Sequence, residues 1–107
     1  MNIQQLRYVV AIANSGTFRE AASKLFVSQP SLSVAIRDLE GELGFQIFNR
    51  TTTGAVLTSH GMTFYEKALE VVKSFDSFEK QFSQAAADSG EFSIASQHYD
   101  FLPPLIT

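Results

Sequence analysis

Apolar residues return at helical intervals along most of this 107-residue chain, interrupted once by a stretch of shorter period. Ile3, Leu6, Val9, Val10 and Ala13 predict a first helix over 3–14, ended by Ser15-Gly16. Thr17 and Glu20 have the spacing of a capping box. Phe18, Ala21, Ala22 and Leu25 mark one side of the short helix that follows, and Phe26 and Val27 are expected to close it against a turn. Ser28 suits the cap of a third helix, with Pro30 in its first turn, where a missing N–H costs little. Leu32, Ala35, Ile36, Leu39 and Leu43 run down one side of that helix. Gly44 suits its left-handed end, with Phe45 expected to fold back onto Leu39.

After Gly44 the period changes. Phe45 to Arg50 and Ala55 to Thr58 are β-favouring runs around Thr51-Thr52-Thr53-Gly54, a predicted hairpin with a four-residue turn. From Ser59, capped by Thr58, a proline-free helix is expected to about Ala87, roughly 43 Å long. Met62, Tyr65, Leu69 and Val72 are assigned to the chain's own core. Phe64, Ala68, Val71, Phe75, Phe78, Phe82 and Ala85 recur in alternating steps of four and three. Such a seam is most simply covered by the same helix of a second copy; packing on further sequence is the alternative. Glu91 to Ser96 reads as one strand, and one strand makes no sheet, so a further domain is expected to start there.

The third helix carries the candidate chemistry. At about 100° per residue, the arc opposite its apolar stripe holds Pro30, Ser33, Val34, Arg37 and Gly41, with Ser31 and Asp38 at the edge. Small hydroxyls and one arginine on a helix whose other side is buried suit entry into a nucleic-acid groove. Two capped helices around a polar turn also occur in proteins that never touch nucleic acid, and spacing alone leaves both readings open.

The combination of A-A-x-x-L from Ala21, V-S-Q-P-S-L-S from Val27, I-R-D-L-E-x-x-L-G from Ile36, F-x-R from Phe48 and L-T-x-x-G from Leu57 resembles the DNA-binding module of the LysR-type transcriptional regulators. The match covers nearly all of residues 1–60, and the order of elements extends to about residue 97. The resemblance implies a mostly α fold: a winged helix-turn-helix over 1–58 (helix-turn-helix about 18–37, wing about 45–58). A dimerising linker helix over 59–88 follows, then a hinge and the first strand of a truncated effector domain over 89–107. It implies base reading by Gln29, Pro30, Ser31, Ser33, Val34 and Arg37, and effector contacts at Ser96, Gln97 and His98. The implied partners are double-stranded DNA carrying an interrupted inverted repeat, a second copy held antiparallel through the linker helix, a tetramer at full length, and a small-molecule effector. The family usually has arginine where this chain has Val34, and often a basic wing where it has Thr51, Thr52 and Thr53. Val34 is suited to a thymine methyl instead.

Charge adds a constraint. The net charge of −3 disfavours a polyanionic partner, yet residues 1–60 carry five basic and four acidic side chains. Backbone phosphate is assigned to Arg50, Lys24, the wing hydroxyls of Thr52 and Thr53, and the helix N-termini at Thr17 and Ser28. So weak a local charge suits a protein that needs two copies on DNA.

Cysteine is absent, His60 and His98 lie in different elements, and no nucleophile-and-base pair or nucleotide fingerprint is found. Neither a metal nor a cofactor is expected, and the chain reads as no enzyme. With no signal peptide and no apolar run of membrane-spanning length, a cytoplasmic protein away from the membrane is expected. The rival to a DNA-binding regulator is a winged-helix interaction module that dimerises without specific DNA binding.

Overall fold

The computed structural model describes the backbone of residues 1–89 and the side chains of residues 1–83. Its elements are α1 (Ile3–Ser15), α2 (Phe18–Leu25), α3 (Gln29–Leu43), β1 (Phe48–Thr51), β2 (Gly54–Leu57) and α4 (Ser59–Ser89). The chain divides into two units inside α4, after Lys73. The expectations at Ser96, Gln97 and His98, the strand from Glu91 and the Ala85 side chain lie outside the described residues.

Capping explains where the helices begin. Asn2 accepts from Gln5 N–H at 2.8 Å while the Gln5 side chain accepts from Asn2 N–H at 3.1 Å, a reciprocal box on α1. Thr17 Oγ1 accepts from Glu20 N–H at 3.0 Å, the first half of the expected box. The Glu20 carboxylate instead reaches along α2 to Lys24 Nζ at 3.5 Å. Thr58 Oγ1 accepts from Gly61 N–H at 2.9 Å to open α4.

In the first unit the core gathers Val9 and Ile12 of α1, Phe18, Ala21 and Ala22 of α2, Leu32, Ile36 and Leu39 of α3, and Ile47 and Phe48. Ile12, missed by the stripe assigned to α1, is fully buried. The hairpin is antiparallel with Thr51 opposite Gly54, so two residues turn it, not four, and the first strand begins at Phe48. Its own ladder continues by one pair, and it is tied to the helices at two places. Ala55 N–H donates to the Gly16 carbonyl at 2.8 Å, and Thr58 N–H to the Ile47 carbonyl at 2.9 Å. Glu40 Oε2 of α3 accepts from the N–H groups of Ile47 and Phe48 at 2.8 and 3.2 Å.

The start of α4 lies against this core through a close approach. A Cβ on Gly61 would sit 2.0 Å from the Ile47 carbonyl oxygen, so the helix packs there only without a side chain. Phe45, expected on Leu39, packs against the edge of the core cluster, its ring 5.2 Å from His60 and 6.4 Å from Phe64. Leu6, Ala68 and Val72 form a second small cluster with Ile3, Val10 and Phe64 packed against it. The core side of α4 therefore runs through Gly61, Phe64, Tyr65, Ala68 and Val72, and Met62, expected inside, is exposed. Phe64 and Ala68, assigned to the intermolecular seam, pack instead on the chain's own core; Ala68 is covered by α1 and is not available to a partner. In the second unit, Phe78 and Phe82 are one turn apart, both exposed, with ring centroids 4.9 Å apart.

Candidate nucleic-acid interface

The start of α3 is organised by its cap. Ser28, in extended backbone at φ −76 and ψ 150, accepts from Ser31 N–H at 3.2 Å and donates to Ser31 Oγ at 2.8 Å. Pro30 fits this first turn because its fixed φ is helical and its absent N–H would have lacked a helical partner. Leu32, Ile36 and Leu39 anchor the inner side, each exposed by 1% or less. Gln29, Pro30, Ser31, Val34 and Arg37 face out, and Ser33 is half-buried. The anchored side prevents the helix from rolling, so the outer residues keep a fixed direction.

Open grooves flank that surface. One, of about 600 Å³, runs between the N-terminus of α2 and the hairpin tip; it brings together Thr17, Arg19, Ser23, Gln29, Arg50, Thr52 and Thr53. A second, of about 530 Å³, lies between α1 and α3 and is lined by Asn2, Gln4, Gln5 and Tyr8 facing Pro30, Ser31, Val34 and Asp38. A third joins Arg37 and Arg50 with Asn49 and Gln46. The free backbone donors at the start of α2 and two arginines favour an anion at the first groove, while Glu20 on its wall opposes one.

Arg50 does more than sit at the base of the wing. Its guanidinium carbon lies 3.8 Å over the Phe18 ring. That ring meets Phe48 edge-on at 5.8 Å and 75°. Arg50 Nη1 donates to Ser33 Oγ at 3.4 Å, linking hairpin to α3. Lys24 is drawn toward Glu20, an exposed pair of small worth. Thr51 Oγ1 is spent within the turn, accepting from Gly54 N–H at 3.1 Å.

The grooves also bring in Asn2, Gln4, Gln5 and Tyr8 at α1, an element expected only to support the fold, and Arg19 and Ser23 on α2. Arg19 carried a signal: it stands two residues after the Thr17 cap, in the turn where free N–H groups gather. Among the described residues no group of three or more acidic or imidazole side chains is placed to hold a metal, and no helix is long and apolar enough to cross a membrane.

Comparison with known proteins agrees with this geometry. Residues 3–62 match the model of the bacterial regulatory helix-turn-helix protein, lysR family. The regulator BudR of Klebsiella aerogenes is 39% identical over 107 residues, covering 99% of this chain and 75% of its own. The dual regulator OxyR of Escherichia coli K12 is 37% identical over 103 residues, 96% of this chain but 32% of that one. Several other relatives are likewise much longer, the chain spanning 28% to 42% of their length. The BenM_DBD/catB site 1 DNA complex superimposes with a TM-score of 0.76 at 35% identity, covering 80% of this chain and 97% of that one. With the family model matching more than half of its residues, this chain belongs to the lysR family of bacterial regulatory helix-turn-helix proteins.

Proposed function

We propose that this chain is the DNA-reading part of a dimeric, effector-responsive transcriptional regulator of the cytoplasm, acting by binding and not by catalysis. One observation carries the reading. The outer side of α3 exposes Gln29, Pro30, Ser31, Val34 and Arg37 with Ser33 half-buried among them, while its inner side is locked into the core, between grooves that hold the wing and the two helix N-termini. Gln29, Pro30, Ser31, Ser33, Val34 and Arg37 are the base readers. Arg50, Thr52, Thr53, Thr17, Ser28 and Lys24, joined by Arg19, face phosphate. The likeness to a DNA-bound BenM fragment supports this docking.

Two copies are joined through α4. Val71, Phe75, Phe78 and Phe82 are each 38% to 60% exposed and follow the seven-residue repeat of a helix–helix seam. Two-fold pairing makes the operator an interrupted inverted repeat. The effector and any tetramer contacts belong to sequence beyond the described residues. The test is the salt dependence of binding to an AT-rich duplex. A dimer neutralising several phosphates loses affinity steeply as salt rises, with slope about −0.9 per phosphate. Binding that ignores salt would instead favour the interaction module to which the exposed phenylalanines also lend themselves.

A further inference from the structure

On the reading that α3 enters the major groove, we infer that Arg50 is a positioning residue: it sets the hydrogen-bonding polarity of Ser33, and through it the base edge that Ser33 reads. The guanidinium rests on a rigid platform. Phe18 is 6% exposed and Phe48 3%, their rings pack at 75° to each other, and Arg50 stacks on the Phe18 ring at 3.8 Å. From that platform Nη1 points at Ser33 Oγ, 3.4 Å away.

A guanidinium has donors alone, so Ser33 must accept on that side. The nearby positive charge turns the hydroxyl hydrogen away from the hairpin, toward whatever fills the groove. Lacking Arg50, a serine within a helix commonly returns its hydrogen to the carbonyl four residues earlier, here that of Gln29. Arg50 thereby keeps Ser33 an outward donor. The edges that satisfy a donor in the major groove are guanine O6 and N7, adenine N7 and thymine O4; the amino groups of cytosine and adenine do not. Ser31 is independent of this device, because its hydroxyl accepts from Ser28. Lysine at position 50 would keep the charge but lose the planar stack and the fixed fork.

The experiment selects binding sequences for the chain from a randomised duplex pool. Affinities of wild type, Arg50→Lys, Ser33→Ala and the double variant are then compared on the selected duplex, on versions changed at one base pair at a time, and on a shuffled duplex. The inference expects Arg50→Lys and Ser33→Ala to lose discrimination at the same base pair, about tenfold each. The double variant should be no worse than the weaker single one. The salt slope should stay close to that of wild type, since the charge is kept, and any loss on the shuffled duplex should be smaller than the loss at the shared base pair. Base preference is the readout that a purely structural role would leave unmoved. The inference is overturned if Arg50→Lys weakens all duplexes equally, acts at a different base pair from Ser33→Ala, or changes nothing. A wild type that enriches no sequence overturns the DNA-reading proposal itself, a failure seen before any variant is made.

Discussion

Phe26 holds φ 60 and ψ 39, a left-handed conformation that glycine or asparagine adopts cheaply and a bulky residue does not. It ends α2 in the way glycine usually does, with Val27 N–H donating back to the Ala22 carbonyl at 3.1 Å. Its ring is 94% exposed, so nothing apolar is gained in return. Phe26→Asn or Phe26→Gly is expected to raise stability by about 0.5–1 kcal/mol, read as a higher urea midpoint with an unchanged slope. Gly61 behaves oppositely. Gly61→Ala places a methyl on the Ile47 carbonyl and is expected to cost about 1–3 kcal/mol, as overpacking does. A variant as stable as wild type would show that α4 can lift away without penalty.

At the scale of elements, α3 and the hairpin are bound by one carboxylate. Glu40 accepts from two part-buried N–H groups at the point where the chain enters β1. Removing it leaves both donors unsatisfied, so Glu40→Ala is expected to destabilise by about 1–3 kcal/mol. Thermal melting checks this, and an unchanged melting temperature would mean that water replaces the carboxylate. Here the sequence is least informative. The stripes of Leu32, Ile36 and Leu39, and of Phe18, Ala21 and Ala22, announced the helices because a single face repeats locally. Glu40 looked like one more surface acid, and Arg50 like a lone phosphate contact. Their partners lie seven or more positions away, and only the folded chain brings Arg50 to Ser33 and Phe18. The two-residue turn and the exposed Met62 were misjudged for a related reason: both depend on how a strand or helix is rotated against its neighbours, which composition does not record. Most of the outer surface of α3, by contrast, was readable, since it is the complement of a buried stripe; Ser33, half-buried under the hairpin's Arg50, is the exception.

For the whole molecule, the two ends of α4 have different work. Phe64, Ala68 and Val72 seal the first unit, while Val71, Phe75, Phe78 and Phe82 remain exposed. Phe78→Glu combined with Phe82→Glu is expected to convert a dimer to a monomer in sedimentation, with the fold of the first unit intact by circular dichroism. Because linked half-sites raise effective concentration, the monomer should lose at least about tenfold in affinity for a two-site duplex. Retained dimerisation would assign the exposed phenylalanines to something other than a second copy. The near-neutral balance of the first 60 residues makes this dependence sharper, as each copy offers little net positive charge to phosphate.

The most direct measurement is the ratio of affinities for a selected inverted-repeat duplex and its shuffled counterpart, taken at one salt concentration for wild type, Gln29→Ala, Ser33→Ala and Arg37→Ala. The wild-type ratio is expected to be at least about 10³. Each substitution should weaken the selected duplex by about 1–3 kcal/mol and leave the shuffled one nearly unchanged. Equal affinities for both duplexes in the wild type, or variants indistinguishable from it, would contradict the assignment of base reading to α3.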